Sequence, residues 1–304
     1  MSSVFNDRFF VTIDVEADSD THWKRKGPLT FSSVTEGIPK YLRPVWERTG
    51  VKPVYFLSPE VLADDLSCRV LRNEIAKGAV IGAHLHPEYL EFDGGNPPPT
   101  GRKFACSQTY DEEFSQIKKL TETIETRLGV KSLWYRAGRF GAGNNTVKIL
   151  RGLGYKYESS VTPGLDWSYC GGPDFRGAPL QPYRVSLSGI AKPAVSDADD
   201  SGIMEYPVTI FKKRLGALGR FLPDKWFCYN WLRPSHMTCF EQKRLAAELC
   251  RECGEPVFVM MFHSMEIMPG KSPYVRTRLG QRRFLCVLEK TITHIKKEIN
   301  EKRA

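Results

Sequence analysis

Apolar positions follow two rhythms along this chain. Short runs of β-branched and aromatic residues, bounded by polar or turn residues, alternate with longer stretches in which apolar residues recur every three or four positions. That is the pattern of strands joined by crossover helices in a parallel sheet. RFFVTIDVE (8–16), VKPVYFLS (51–58) and GAVIGAHLH (78–86) read as the first three strands, separated by helices near 36–50 and 59–78. The alternation resumes with a helix at 111–129, the strand SLWYRAG (132–138), a helix at 144–154 and the strand YKYESSVT (155–162). Beyond it, GLDWSYCGGPDFRGAP (164–179) reads as a loop, while YRVSLSG (183–189) and GIMEYPVTI (202–210) read as strands. A helix at 240–252, the strand PVFVMMFHS (256–264) and a basic terminal helix close the chain. The expected architecture is α/β with a barrel-like sheet, in one catalytic domain over residues 1–304.

Two stretches interrupt the alternation. FDGGNPPPTGRK (92–103) reads as a long functional loop or lid, because regular elements resume after it. Residues 213–237, within an insertion near 211–240, mix Lys and Arg with Trp226, Phe227, Tyr229 and Trp231. That mixture suits either amphipathic packing or a membrane-surface or glycan-binding face, and both readings stay open.

With 304 residues and 41% hydrophobic content, the chain can bury a large core. No window reaches the roughly 18 to 20 consecutive apolar residues of a membrane span, and MSSVFNDRFF lacks the order of a secretory signal. The expectation is a cytoplasmic protein, with the inner membrane surface as a possible station. Eight scattered cysteines are expected as reduced thiols. Cys250 and Cys253 form a CxxC without a second pair, so they are read as structural. The net charge is +9, from 44 Lys and Arg against 35 Asp and Glu. This favours anionic partners, but no nucleic-acid motif accompanies it and nucleic acid is not expected.

The candidate chemistry sits at the ends of the apolar runs. Side chains two apart on a strand share a face, which pairs Asp14 with Glu16 in TIDVEAD and His84 with His86 in GAHLHPE. Parallel strands gather their carboxyl ends on one side of the sheet, so these four groups can converge on one divalent metal. Imidazoles with a carboxylate suit zinc first, and cobalt, nickel or manganese also. WYRAGRFG supplies Arg136 and Arg139 as candidate anchors for a carboxylate or an anionic substrate. VFVMMFHSME brings His263 out of an apolar run with Glu266 three residues on, and such a histidine is a natural general acid.

In this order the pieces TIDVEAD, GAHLHPE, YRAGRFGAG, GLDWSY and MMFHSMEIMPG resemble the ordered motifs of the polysaccharide deacetylase family, the NodB-homology fold. The wording is closest to a branch associated with cell-surface polysaccharide and lipopolysaccharide synthesis, over about residues 8 to 285. The resemblance implies an irregular (β/α)7 barrel and a metal-dependent N-deacetylase. Its substrate would be an acetylated sugar or glycan, anionic or lipid-linked, with peripheral membrane contact an open option. It further implies Asp14 as catalytic base, Glu16, His84 and His86 as metal ligands, Arg136 as the group that orients Asp14, and His263 as general acid. Asp166 and Trp167 would flank the base and the acid; Trp167, Arg139, Arg233 and Glu266 are the expected substrate contacts. The chain departs from the family pattern in three places. Val15 separates acids that are usually adjacent, the histidines stand two rather than four apart, and Ala137 and Gly138 follow Arg136 where a proline is usual. These spacings leave Asp14 as base or ligand, and His86 as ligand or substrate contact. They also leave room for an amidohydrolase of small molecules or a non-catalytic glycan-binding protein on the same fold. GAGNN (141–145) raises a nucleotide-binding oxidoreductase or transferase, but without GxGxxG spacing.

Overall fold

The computed structural model describes residues 8–25, 27–90, 104–212, 229–236 and 238–301. The loop expected at 92–103 and most of the insertion expected at 213–237 lie outside the described residues. The strands are β1 (Phe9–Val15), β2 (Val54–Leu57), β3 (Val80–Leu85), β4 (Trp134–Ala137), β5 (Tyr157–Glu158), β6 (Tyr183–Ser186), β7 (Gly189–Pro193), β8 (Asp200–Glu205), β9 (Ile210–Lys212), β10 (Tyr229–Trp231) and β11 (Phe258–His263). Their main helices are α1 (Arg43–Thr49), α2 (Pro59–Ala63), α3 (Asp65–Ala76), α4 (Tyr110–Leu128), α5 (Asn144–Leu153), α6 (Cys239–Cys253) and α7 (Arg278–Glu301).

β1 is buried on both faces, which suits the middle of a parallel sheet, and it lies between β11 and β2. The sheet runs β11-β1-β2-β3-β4-β5-β8-β6-β7, and every pairing from β11 to β8 is parallel. β6 and β7 add an antiparallel edge. The sheet curls into an irregular half-barrel, and the chain beyond β8 bridges its two sides. Val208 N–H donates to Val161 O (3.0 Å) and Thr209 N–H to Val259 O (3.0 Å). The barrel expectation is met, with seven parallel strands and a hairpin outside them.

Alternation along the strands fills the barrel in layers. Val11, Ile13 and Val15 pack outward into the main core beneath the helices. Phe10, Val54, Phe56, Trp134 and Val259 form a separate inner cluster with Tyr157 and Tyr206 against it. Gly82 makes room for this plug, because a Cβ there would stand 2.4 Å from Phe56 Cδ1. Above the plug, the same inward phase continues as Thr12 and Asp14 on β1 with Glu16 just past it, His84 on β3 with His86 just past it, Arg136 on β4 and His263 on β11. The interior therefore changes from aromatic to polar toward the carboxyl ends of the strands.

Of the elements that differ from the sequence expectation, three show a physical cause or a new strand. The helix expected from residue 36 begins at Ser33, and its first part is wound wide: Arg43 N–H reaches back to Ile38 O, across a turn where Pro39 has no N–H to give. Regular winding starts at α1, with Pro44 in its first turn, and stops at Gly50 in the left-handed conformation (φ 66°). The strand expected over 155–162 narrows to two residues, because beyond Glu158 the chain turns its polar groups to the neighbouring strand. Ser159 accepts from Arg136, and Ser160 Oγ accepts from Ala137 N–H at 2.8 Å. Strand β7 was not expected at all; it returns from β6 through a tight polar turn at Leu187–Ser188. Among the described residues no helix is long and apolar enough to cross a membrane.

One buried acid sets a stability test. Glu205 accepts Val161 N–H (3.1 Å) and lies against Glu158, both carboxyls fully buried. Burial, then the neighbouring charge, pushes Glu205 well above the usual carboxylate range. Its stabilising contribution is therefore complete below the unfolded value near pH ~4.3 and is lost as pH rises through the raised folded value. Melting temperatures between pH 5 and 9 should fall more steeply for the parent than for Glu205→Gln, which keeps a donor toward Glu158; parallel slopes would remove the proton from this pair.

Candidate metal and catalytic site

Glu16, His84 and His86 meet at the top of the barrel. His84 Nε2 lies 3.1 Å and His86 Nε2 2.9 Å from the same oxygen, Glu16 Oε1, and the two ring nitrogens are 3.2 Å apart. Among the described residues this is the one such group of potential ligands, and all three members are buried. The tautomer of His84 is set from behind: its Nδ1 is 3.0 Å from Arg136 O, which can only accept, so in the neutral ring Nδ1 carries the proton and Nε2 presents a lone pair. A lone pair facing a carboxylate oxygen and a second imidazole nitrogen at these distances needs a cation between them, and the donor set fits a divalent metal. Without one, a proton serves. Burial pulls His86 down, but Glu16 and Glu88 outweigh it and push its pKa up to about 9.

Glu16 is also held at its other oxygen. Arg25 donates to Oε2, and its guanidinium reaches Glu60 (3.4 Å) and lies over the Tyr89 ring (4.9 Å). Burial alone would raise Glu16, yet Arg25 and the two histidines hold it well below the ordinary range. Arg25 carried no sequence signal, since it sits in a loop within a run of basic residues.

Asp14 stands next to this group. Arg136, 0% exposed, donates from Nη1 to Asp14 Oδ1 (2.7 Å), from Nη2 to Thr12 Oγ1 (2.9 Å) and Ser159 Oγ (2.8 Å), and from Nε to Ser159 O (2.8 Å). Burial opposes the Asp14 charge, but Arg136 first, then His84 and His263, keep its carboxyl below the usual value. Asp14 and His263 are register partners on β1 and β11, and His263 Nε2 is 4.0 Å from Glu16 Oε1.

The remaining expected residues divide. Arg233 and Glu266, expected as substrate contacts, are 5% and 0% exposed and bonded to each other behind His263, so their polar atoms are spent inside the fold. Asp166 stands in its loop, 32% exposed, accepting Ser168 N–H (2.9 Å) and 3.5 Å from Arg176; the carboxylate beside His263 is Glu266. Trp167 is half-buried, its Nε1–H donating to Thr162 Oγ1 (2.9 Å), its ring stacked with Phe140 at 6.5 Å. Arg139 donates to Glu88, which lies 3.7 Å from His86 Nδ1. Trp23, Arg139 and Phe140 are the non-glycine residues with positive φ among the described residues. Trp23, beside His263, and Arg139, through Glu88 beside His86, border this site, where strained backbone tends to be retained. Trp23 was not singled out from the sequence; its ring is 5.2 Å from that of His263.

No family model and no curated protein matches this chain in sequence. Solved structures do match it in shape. A protein of Mycobacterium smegmatis assigned as a polysaccharide deacetylase superposes with a TM-score of 0.50 at 15% identity, covering 97% of this chain and 86% of that one. A protein of Parabacteroides distasonis assigned as a glycoside hydrolase/deacetylase superposes with a TM-score of 0.60 at 13% identity, covering 95% of this chain and 67% of that one. At such identities the likeness is one of fold: the chain is built on the fold of the polysaccharide deacetylases.

Proposed function

We propose that the protein is a metal-dependent hydrolase that removes an N-acetyl group from a sugar in a cell-surface polysaccharide, lipopolysaccharide or lipid-linked glycan precursor. The observation that carries this reading is the meeting of two imidazole nitrogens and one carboxylate oxygen within 3.2 Å of one another, with Asp14 and His263 beside them. Glu16, His84 and His86 would hold a divalent ion, zinc in the first instance. Such an ion, when bound, polarises an amide carbonyl and lowers the pKa of a water to about 7.

The chain's own residues supply the rest. Arg136 binds Oδ1 of Asp14 and leaves Oδ2 to take the proton of the attacking water. His263 gives its Nε2 proton to the departing amine, so that the sugar leaves with a free amino group and acetate is the second product. Trp167 and Trp23 offer apolar ring faces at the rim, and Arg139 a cation. The net charge of +9 suits an anionic or lipid-linked glycan.

Two measurements test the reading. Elemental analysis should find about one divalent ion per chain in the reconstituted parent and far less in His84→Ala and His86→Ala; a parent that takes up no metal would end the hydrolase reading. With a panel of N-acetylated sugars and oligosaccharides, Asp14→Asn and His263→Ala should each lower acetate release by about 10²- to 10⁴-fold while the circular dichroism spectrum stays that of the parent. A metal-loaded parent that releases no acetate from any of them would favour a glycan-binding protein on this fold.

A further inference from the structure

We propose that Arg233 and Glu266 act together as positioning residues that fix the tautomer of His263, holding the neutral ring with its proton on Nε2. The bearing of that tautomer on turnover rests on the hydrolytic reading above; the tautomer itself does not.

The argument begins with donor and acceptor counts. A guanidinium has five N–H donors and no acceptor. Arg233 Nη2 stands 2.9 Å from His263 Nδ1, a distance that makes a hydrogen bond only if Nδ1 is bare. The opposite neutral tautomer would set two N–H groups against each other at that distance. With Nδ1 bare, the ring proton is on Nε2, the nitrogen that faces Glu16 Oε1.

Arg233 cannot easily turn away. It forks onto Glu266, from Nη2 to Oε1 and from Nε to Oε2 (3.2 Å), and its guanidinium lies over the Tyr274 ring at 4.8 Å. Glu266 is pinned in turn: Oε2 accepts from Ser235 Oγ (2.6 Å) and Oε1 from His263 N–H (2.7 Å). Oε1 is also 3.3 Å from His263 Nδ1, longer than the contact from Arg233. The shorter contact is the one from the donor, so Arg233 sets the ring, and Nε2–H faces the metal-ligand cluster. Glu266 comes from the turn that follows β11, so the device is built from the same segment as the histidine it orients.

Ring ¹⁵N spectra of the full chain, zinc-loaded and stripped, with the His263 signals assigned by their loss in His263→Ala, test this directly. At alkaline pH the parent should show a bare-type Nδ1 and an N–H-type Nε2. Arg233→Met removes the donor and should move the ring proton toward Nδ1, where Glu266 accepts it, while Arg233→Lys should retain the parent pattern. A parent spectrum with the proton on Nδ1 overturns the proposal whether or not any variant folds, and so does an unchanged spectrum in folded Arg233→Met. Failure of the hydrolytic reading is a separate outcome: no acetate released by a parent whose spectrum is as expected.

Discussion

The site hangs on one buried cation. Arg136 has no access to water, and a guanidinium in that position is tolerated only if every side of it meets an acceptor. Its acceptors are Asp14 and Thr12 on β1 and both the hydroxyl and the carbonyl of Ser159 at the end of β5. Its ring-side face lies over Phe56 of β2 at 4.3 Å, and its own carbonyl takes the Nδ1 proton of His84 on β3. A single residue thus sets the charge of Asp14 and the tautomer of His84, and it does so from the centre of five parallel strands.

A second constraint is charge balance by layers. The aromatic plug below Arg136 shuts water out of the lower barrel, so each charge above it needs a near partner. Asp14 has Arg136, Glu16 has Arg25 and the histidines, and Glu266 has Arg233. These pairs are local and are closed off by hydroxyls of Thr12, Ser159 and Ser235. The consequence is that ionised Asp14 and Glu16 stand side by side, although each would otherwise raise the pKa of the other. The cation supplied by Arg25 also confines Glu16 to one free oxygen, Oε1, the atom both imidazoles approach.

Much of this was readable in the chain before its shape. Strand ends are marked by where the apolar alternation stops, so Asp14, Glu16, His84, His86, Arg136 and His263 stood out together, and parallel topology brings such ends to one place. What was not readable depends on contacts made across many residues. Arg25 and Trp23 sit in a loop whose course no periodicity describes. Arg233 and Glu266 were visible as charged residues, Glu266 three positions after His263, but only three-dimensional burial distinguishes a group open to a ligand from one that holds another side chain. Asp166 shows the converse: the family resemblance implied that it and Trp167 flank the base and the acid, while the folded loop bonds Asp166 to Ser168 and sets it near Arg176. Strand β5 is short because Ser159 and Ser160 serve Arg136 and Ala137, which a propensity for β structure cannot express.

The altered motif spacings follow from the same geometry. A residue two positions on along a strand returns to the same face, one step closer to the carboxyl end. Asp14 and Glu16 are therefore both inside the barrel, at successive heights, with Val15 in the outer core between them. Were the two acids adjacent in a strand that stayed regular, one of them would face the helices. His84 on β3 and His86 just past its end use the same step. His84 pairs in register with Arg136 and lies deep enough to reach its carbonyl, while His86 stands one step higher and closes the ligand group from above. Two strands with the same two-residue step bring an acid and an imidazole to matching heights without any helical turn. In this chain the departures from the family pattern still bring one carboxylate and two imidazoles together, at the carboxyl ends of the strands.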